Sequence, residues 1–145
     1  MDYFLLLLFH IFAAILFVGT VFFEVLMLEG IRKHVPRDAM RTIEAAIGQR
    51  ARRIMPFAIL ALYAAGIGMA WRYRTVLAQP FDSTLGTLLG LKILLALSVL
   101  AHFVYAVSMG ATGRLRSRQS RMIHLSVFAH VVVIVFLAKA MFYLN

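Results

Sequence analysis

Residues 3–28 read YFLLLLFHIFAAILFVGTVFFEVLML, an apolar run that meets no acidic or basic carboxylate or ammonium group before Glu24. As a helix rising ~1.5 Å per residue it spans about 39 Å, and ~20 apolar residues suffice to cross the hydrocarbon of a bilayer. Only Met1 and Asp2 precede it. A cleaved leader would need a basic start, a shorter apolar core and a small-residue cleavage site. The run therefore reads as a retained transmembrane span.

Three further segments qualify, at about 54–71, 84–109 and 122–144, and together the four use most of the 145 residues. A hydrophobic fraction of 63% and a mean hydropathy of +0.89 are too apolar for a water-soluble domain of this size. The expected fold is all-α, an integral membrane four-helix bundle in a single transmembrane domain, 1–145. There is no cysteine, which removes disulfides, thiolate metal sites and cysteine nucleophiles.

The net charge of +9 does not call for a nucleic-acid partner, because membrane proteins collect basic residues in cytoplasmic loops. Arg32, Lys33, Arg37, Arg41, Arg50, Arg52 and Arg53 follow the first span, and Arg114, Arg116, Arg118 and Arg121 follow the third. The middle connection has only Arg72 and Arg74. Both termini are thus expected on the outer side, the periplasm if the membrane is a bacterial inner membrane.

Between the first two spans, residues 37–50 suggest a separate interfacial helix. Met40, Ile43 and Ile47 form its apolar stripe and its arginines face anionic headgroups. Pro56 is expected to open the second span, where its missing N–H costs little. Ala61, Ala65 and the pairs Ala64/Gly68 and Gly66/Ala70 allow close helix contact, within the chain or in a homo-oligomer. Trp71 and Tyr73 suit an interface, and Asp82 or Ser83 suits the cap of the third helix. No internal repeat or low-complexity segment is read.

Ionisable groups inside a span are costly and mark candidate sites. Counting from each span's midpoint puts His10 roughly 7 Å, Lys92 roughly 7–10 Å and Lys139 about 9 Å towards the outer side. His102 and His130 fall about 4–9 Å inward on helices joined by a short loop. This gives an outer group of His10, Lys92 and Lys139, and an inner pair, His102 and His130, able to grip a haem iron from both faces. His10, Ala14, Phe17, Val21 and Glu24 share one face, with Ala14 leaving room for a flat macrocycle.

Each residue also has a plainer reading. An intramembrane histidine can bond a neighbouring carbonyl or serine, and Lys92 and Lys139 can snorkel to the interface. Glu24 can pair with Arg32, Lys33 or Arg53, His124 suits a solvated position, and His34 lies in the basic loop. Eight methionines form no closely spaced pair on one helix, which gives a copper path weak support.

Four stretches resemble one family. FHIFAAILFVG, RRIMPFAILALYAAGIG, LKILLALSVLAH and VVVIVFLAKAM are similar to the four spans of HemJ-type protoporphyrinogen IX oxidases, which are related in pattern to the membrane domain of CopD copper-resistance proteins. The chain has Phe17 where that family usually has tryptophan. The resemblance implies haem b as cofactor, with His10 and Lys92 as the functional residues, and Lys139 matching the lysine of the final span. It implies oxidation of protoporphyrinogen IX to protoporphyrin IX, with electrons passed to a membrane acceptor such as a quinone. The other readings are a quinone-linked b-type cytochrome, which His102 and His130 would favour, a CopD-like copper transporter or accessory protein, and a structural membrane subunit.

Overall fold

The computed structural model describes residues 2–114 and 117–144. Arg116, one of the basic residues after the third span, lies outside the described residues. The described residues form helices joined by short turns, without strands.

Four helices are long and apolar enough to cross a membrane. The first, α1, runs Asp2–His34. It is regular over Asp2–Phe22, widens to a π-helix at Phe23–Leu28, and tightens to a 3-10 turn at Arg32–His34. α2 spans Arg37–Arg72, 36 residues. A short helix, Arg74–Ala78, leads to α3, Thr84–Ala111, and α4 is Ser117–Tyr143. The expected spans 3–28, 54–71 and 84–109 fall inside these helices, and the fourth, 122–144, outruns its helix by one residue.

The separate interfacial helix at 37–50 is not found. Those residues are the first turns of α2, which continues through Pro56 without a break. Proline removes one N–H from a helix and does not have to end it. Pro56 is exposed, so the carbonyl left without its helical donor is not sealed inside the protein.

Two compact units divide the chain, Met1–Ile67 and Gly68–Asn145. In the first, Ala13, Phe17 and Val21 form the buried stripe of α1, spaced as one helix face requires. Arg32 bonds Glu29 through Nε at 3.0 Å and reaches Glu44 of α2 through its other end. Glu29 and Glu44, rather than Glu24, are therefore the carboxylates that Arg32 joins.

In the second unit Ser83 caps α3, its hydroxyl accepting from the Gly86 amide at 3.0 Å. The expected cap is thus Ser83 and not Asp82. Gly86 is needed for close approach, since a Cβ there would lie 2.8 Å from the Pro80 carbonyl oxygen. Past the end of α3, Gly113 takes φ +66°, the left-handed conformation that closes a helix. The Arg74 guanidinium sits 5.6 Å from the Trp71 ring centroid, as a cation over an aromatic face.

Every buried side chain among the described residues is apolar, yet Phe57 is 74% exposed and Phe4, Phe9 and Phe12 are 64% exposed. In water that surface would aggregate; against lipid it is matched to its solvent.

Candidate functional site

His10 is half-buried on α1. Its Nδ1 lies 2.9 Å from the Leu62 carbonyl of α2. A carbonyl can only accept, so Nδ1 carries the hydrogen and donates it, which leaves Nε2 as the nitrogen with the lone pair in the neutral ring. Metal-ligating histidines are held in this way, one nitrogen donating to a carbonyl while the other serves as ligand. The ring also lies against Gly66, one turn beyond Leu62: a Cβ there would be 3.4 Å from the His10 Cε1. His10 is thus held against α2 through Nδ1, and Nε2 is the nitrogen that would face a ligand.

His102 and His130 are brought together, as their depths suggested, with ring centroids 5.4 Å apart and planes at 56°. Their bonds are reciprocal. His102 Nδ1 donates to the Ser98 carbonyl, one turn back on α3, at 2.7 Å. His130 Nδ1 donates to the Ser126 carbonyl, one turn back on α4, at 2.7 Å. With both Nδ1 hydrogens fixed, each Nε2 accepts from a serine of the opposite helix in the neutral rings. The Ser126 hydroxyl donates to His102 at 3.1 Å, and the Ser98 hydroxyl donates to His130 at 3.1 Å.

A repeat underlies this arrangement. Leu97–Val104 reads LSVLAHFV and Leu125–Val132 reads LSVFAHVV, so an internal repeat exists after all. It matches position by position except Leu100/Phe128 and Phe103/Val131. The corresponding valines, Val99 and Val127, are 3% and 5% exposed. Two copies of one motif on antiparallel helices meet about a local twofold axis, and each supplies what the other lacks.

That symmetry decides the fit of an iron between the two rings. Ser98 holds His102 Nδ1 through its carbonyl and His130 Nε2 through its hydroxyl. The Nε2 end of one ring thus lies beside the Nδ1 end of the other, and the reverse holds at Ser126. An iron clamp needs both lone pairs aimed at one atom, each about 2 Å from it. Here the lone pairs diverge to separate serines, so the pair as arranged does not fit a two-histidine haem. The plainer reading of both histidines, a bond to a carbonyl and a serine, describes the contacts found.

The outer group divides between the units: His10 belongs to the first, Lys92 and Lys139 to the second. Lys92 is half-buried and Lys139 exposed. Lys139 lies nine positions beyond His130, half a turn around α4 at ~100° per residue, on the side away from the serine–histidine contacts. It has the placement of a snorkelling lysine. Among the described residues, no group of three or more His, Asp or Glu is placed to hold a metal ion.

Sequence reasoning missed Leu62, Gly66, Ser98 and Ser126 as parts of these sites. The partner of His10 is a backbone carbonyl, which no residue type announces. The serines were legible, since Ser-Val-x-Ala-His occurs twice. No family profile, curated protein or solved structure matches this chain.

Proposed function

We propose that this chain is a haem b-binding membrane oxidoreductase of HemJ-like activity, oxidising protoporphyrinogen IX to protoporphyrin IX. One observation supports the reading: the hydrogen bond from His10 Nδ1 to the Leu62 carbonyl, 2.9 Å, which holds an intramembrane imidazole in the way ligating histidines are held. Haem b, when bound at His10, supplies one-electron redox chemistry that no side chain of the protein offers. His10 would hold the iron through Nε2. Lys92 would set its ammonium against a carboxylate of the porphyrinogen or of the haem. The hydrogens removed from the porphyrinogen leave as protons and electrons, and the electrons pass to a quinone-class acceptor in the membrane.

In this reading the four long helices form a bundle across a bacterial inner membrane, with both termini on the outer side and the arginine-rich connections in the cytoplasm. His102 and His130 serve as a helix lock and not as iron ligands.

The test is the oxidised and dithionite-reduced absorption spectrum of the detergent-purified protein and of His10→Ala, Lys92→Ala, His102→Ala and His130→Ala. The expected result is a b-type α band in the reduced wild type, lost in His10→Ala and kept in the His102 and His130 variants. A protein still colourless after haem is supplied overturns the proposal. A band lost on removing His102 or His130 but not His10 returns the iron to the inner pair and favours a b-type cytochrome. Rescue of a strain unable to oxidise protoporphyrinogen then tests the substrate.

A further inference from the structure

We infer that Gly66 is a positioning residue for His10: by carrying nothing beyond the Cβ position it leaves a notch in α2 through which the imidazole reaches the Leu62 carbonyl. The inference rests on His10 being a ligand, as proposed above, but its geometry is independent of any cofactor.

A helical carbonyl normally has its own partner, the N–H four residues on, and side chains one turn away flank it. For Leu62 that partner is Gly66. The Leu62 oxygen can take a second donor because a carbonyl has two lone pairs. The donor is a ring, which needs more room than a hydroxyl. At Gly66 the room exists: a Cβ would sit 3.4 Å from His10 Cε1 and 3.6 Å from Nδ1. A methyl group would therefore make ordinary contact with the ring, and a longer side chain extended in that direction would compete for its place. The notch is one methyl deep.

The consequence is chemical as well as steric. With Nδ1 donating to Leu62, the neutral ring is held in the tautomer whose lone pair is on Nε2. A ring pushed off the carbonyl loses the bond that sets this choice, and the hydrogen redistributes between the two nitrogens. Partners that orient a metal-bound histidine typically contribute ~10–100-fold to metal affinity. Gly66 would thus act on a bound iron through His10 without touching it.

The test uses the full chain in detergent, labelled with 15N-histidine, without haem and then titrated with haem, as wild type, Gly66→Ala and Gly66→Leu. The two-bond proton–nitrogen correlations of His10 report the tautomer directly. Wild type and Gly66→Ala are expected to hold the Nδ1–H form. Gly66→Leu is expected to lose it and to bind haem ~10–100-fold more weakly. The signals of His102 and His130 should stay at their wild-type positions in every variant, which separates a displaced ring from an unfolded chain.

A Gly66→Leu variant with the wild-type His10 tautomer overturns the inference, and so does one whose His102 and His130 signals collapse together with that of His10. A wild type that binds no haem overturns the proposed function and not the notch, which the tautomer measurement alone still decides.

Discussion

Removing one hydroxyl from the serine–histidine quartet should cost the same on either helix. Ser98→Ala deletes the donor to His130 and Ser126→Ala the donor to His102; both bonds are 3.1 Å long and lie in matching sequence. Side-chain hydrogen bonds between membrane helices contribute ~0.6 kcal/mol on average and up to ~1.7. Each alanine variant is therefore expected to lose about 0.6–1.7 kcal/mol, and the pair together about 1.2–3.4 kcal/mol before coupling. The bonds share one contact patch, so a coupling energy of ~0.5 kcal/mol or more is expected in the double-mutant cycle. Ser98→Thr keeps the hydroxyl and should stay near wild type. The assay is reversible unfolding in mixed micelles or by steric trapping in bicelles. Two alanine variants with no loss, or one losing several times more than the other, would refute the reciprocal arrangement.

At the start of α3, Ser83→Ala removes the cap from the Gly86 amide and should lower stability by ~1 kcal/mol. Gly86→Ala should cost more, ~1–3 kcal/mol, because its methyl meets the Pro80 carbonyl at 2.8 Å and must displace the loop; the same unfolding assay ranks the two. Arg32→Gln leaves Glu29 and Glu44 without their shared cation, but all three side chains are about one-third exposed. The loss should be under ~1 kcal/mol and shrink in high salt. Lys92→Met should leave folding intact and weaken binding of a porphyrin dicarboxylate, while Lys92→Arg should retain most of it; equal binding by all three proteins would remove Lys92 from the site.

Hydropathy was enough to locate the helices, because crossing a bilayer depends on length and apolarity and both are written along the chain. It was silent on how they continue. Residues 37–50 carry an amphipathic pattern that suits a short surface helix, and Pro56 looks like its boundary. Nothing local shows that the two segments share one axis. The site was legible in part. His10, His102 and His130 stand out as polar groups in apolar runs, and depth arithmetic paired the last two correctly. What they bond was hidden for different physical reasons. Leu62 contributes its backbone, which every residue has, and Gly66 contributes empty space. Ser98 and Ser126 are marked by the repeated Ser-Val-x-Ala-His, but which histidine each one bonds depends on the antiparallel register.

The length of α2 has a mechanical corollary. Its apolar part begins near Ile54, and Arg37 lies about 25 Å further along the same axis at ~1.5 Å per residue. Rotation of a rod is amplified at its far end, and the Arg32–Glu44 contact would carry the end of α1 along with it. Membrane helices tilt by ~20° on average, over a range of ~0–40°, as they adapt to bilayer thickness. A change of about 20° about the apolar segment would carry Arg37 sideways by about 9 Å, close to a Debye length at physiological salt. Bilayer thickness would thereby be converted into the position of positive charge at the far end of the rod, with Pro56 sitting at the fulcrum.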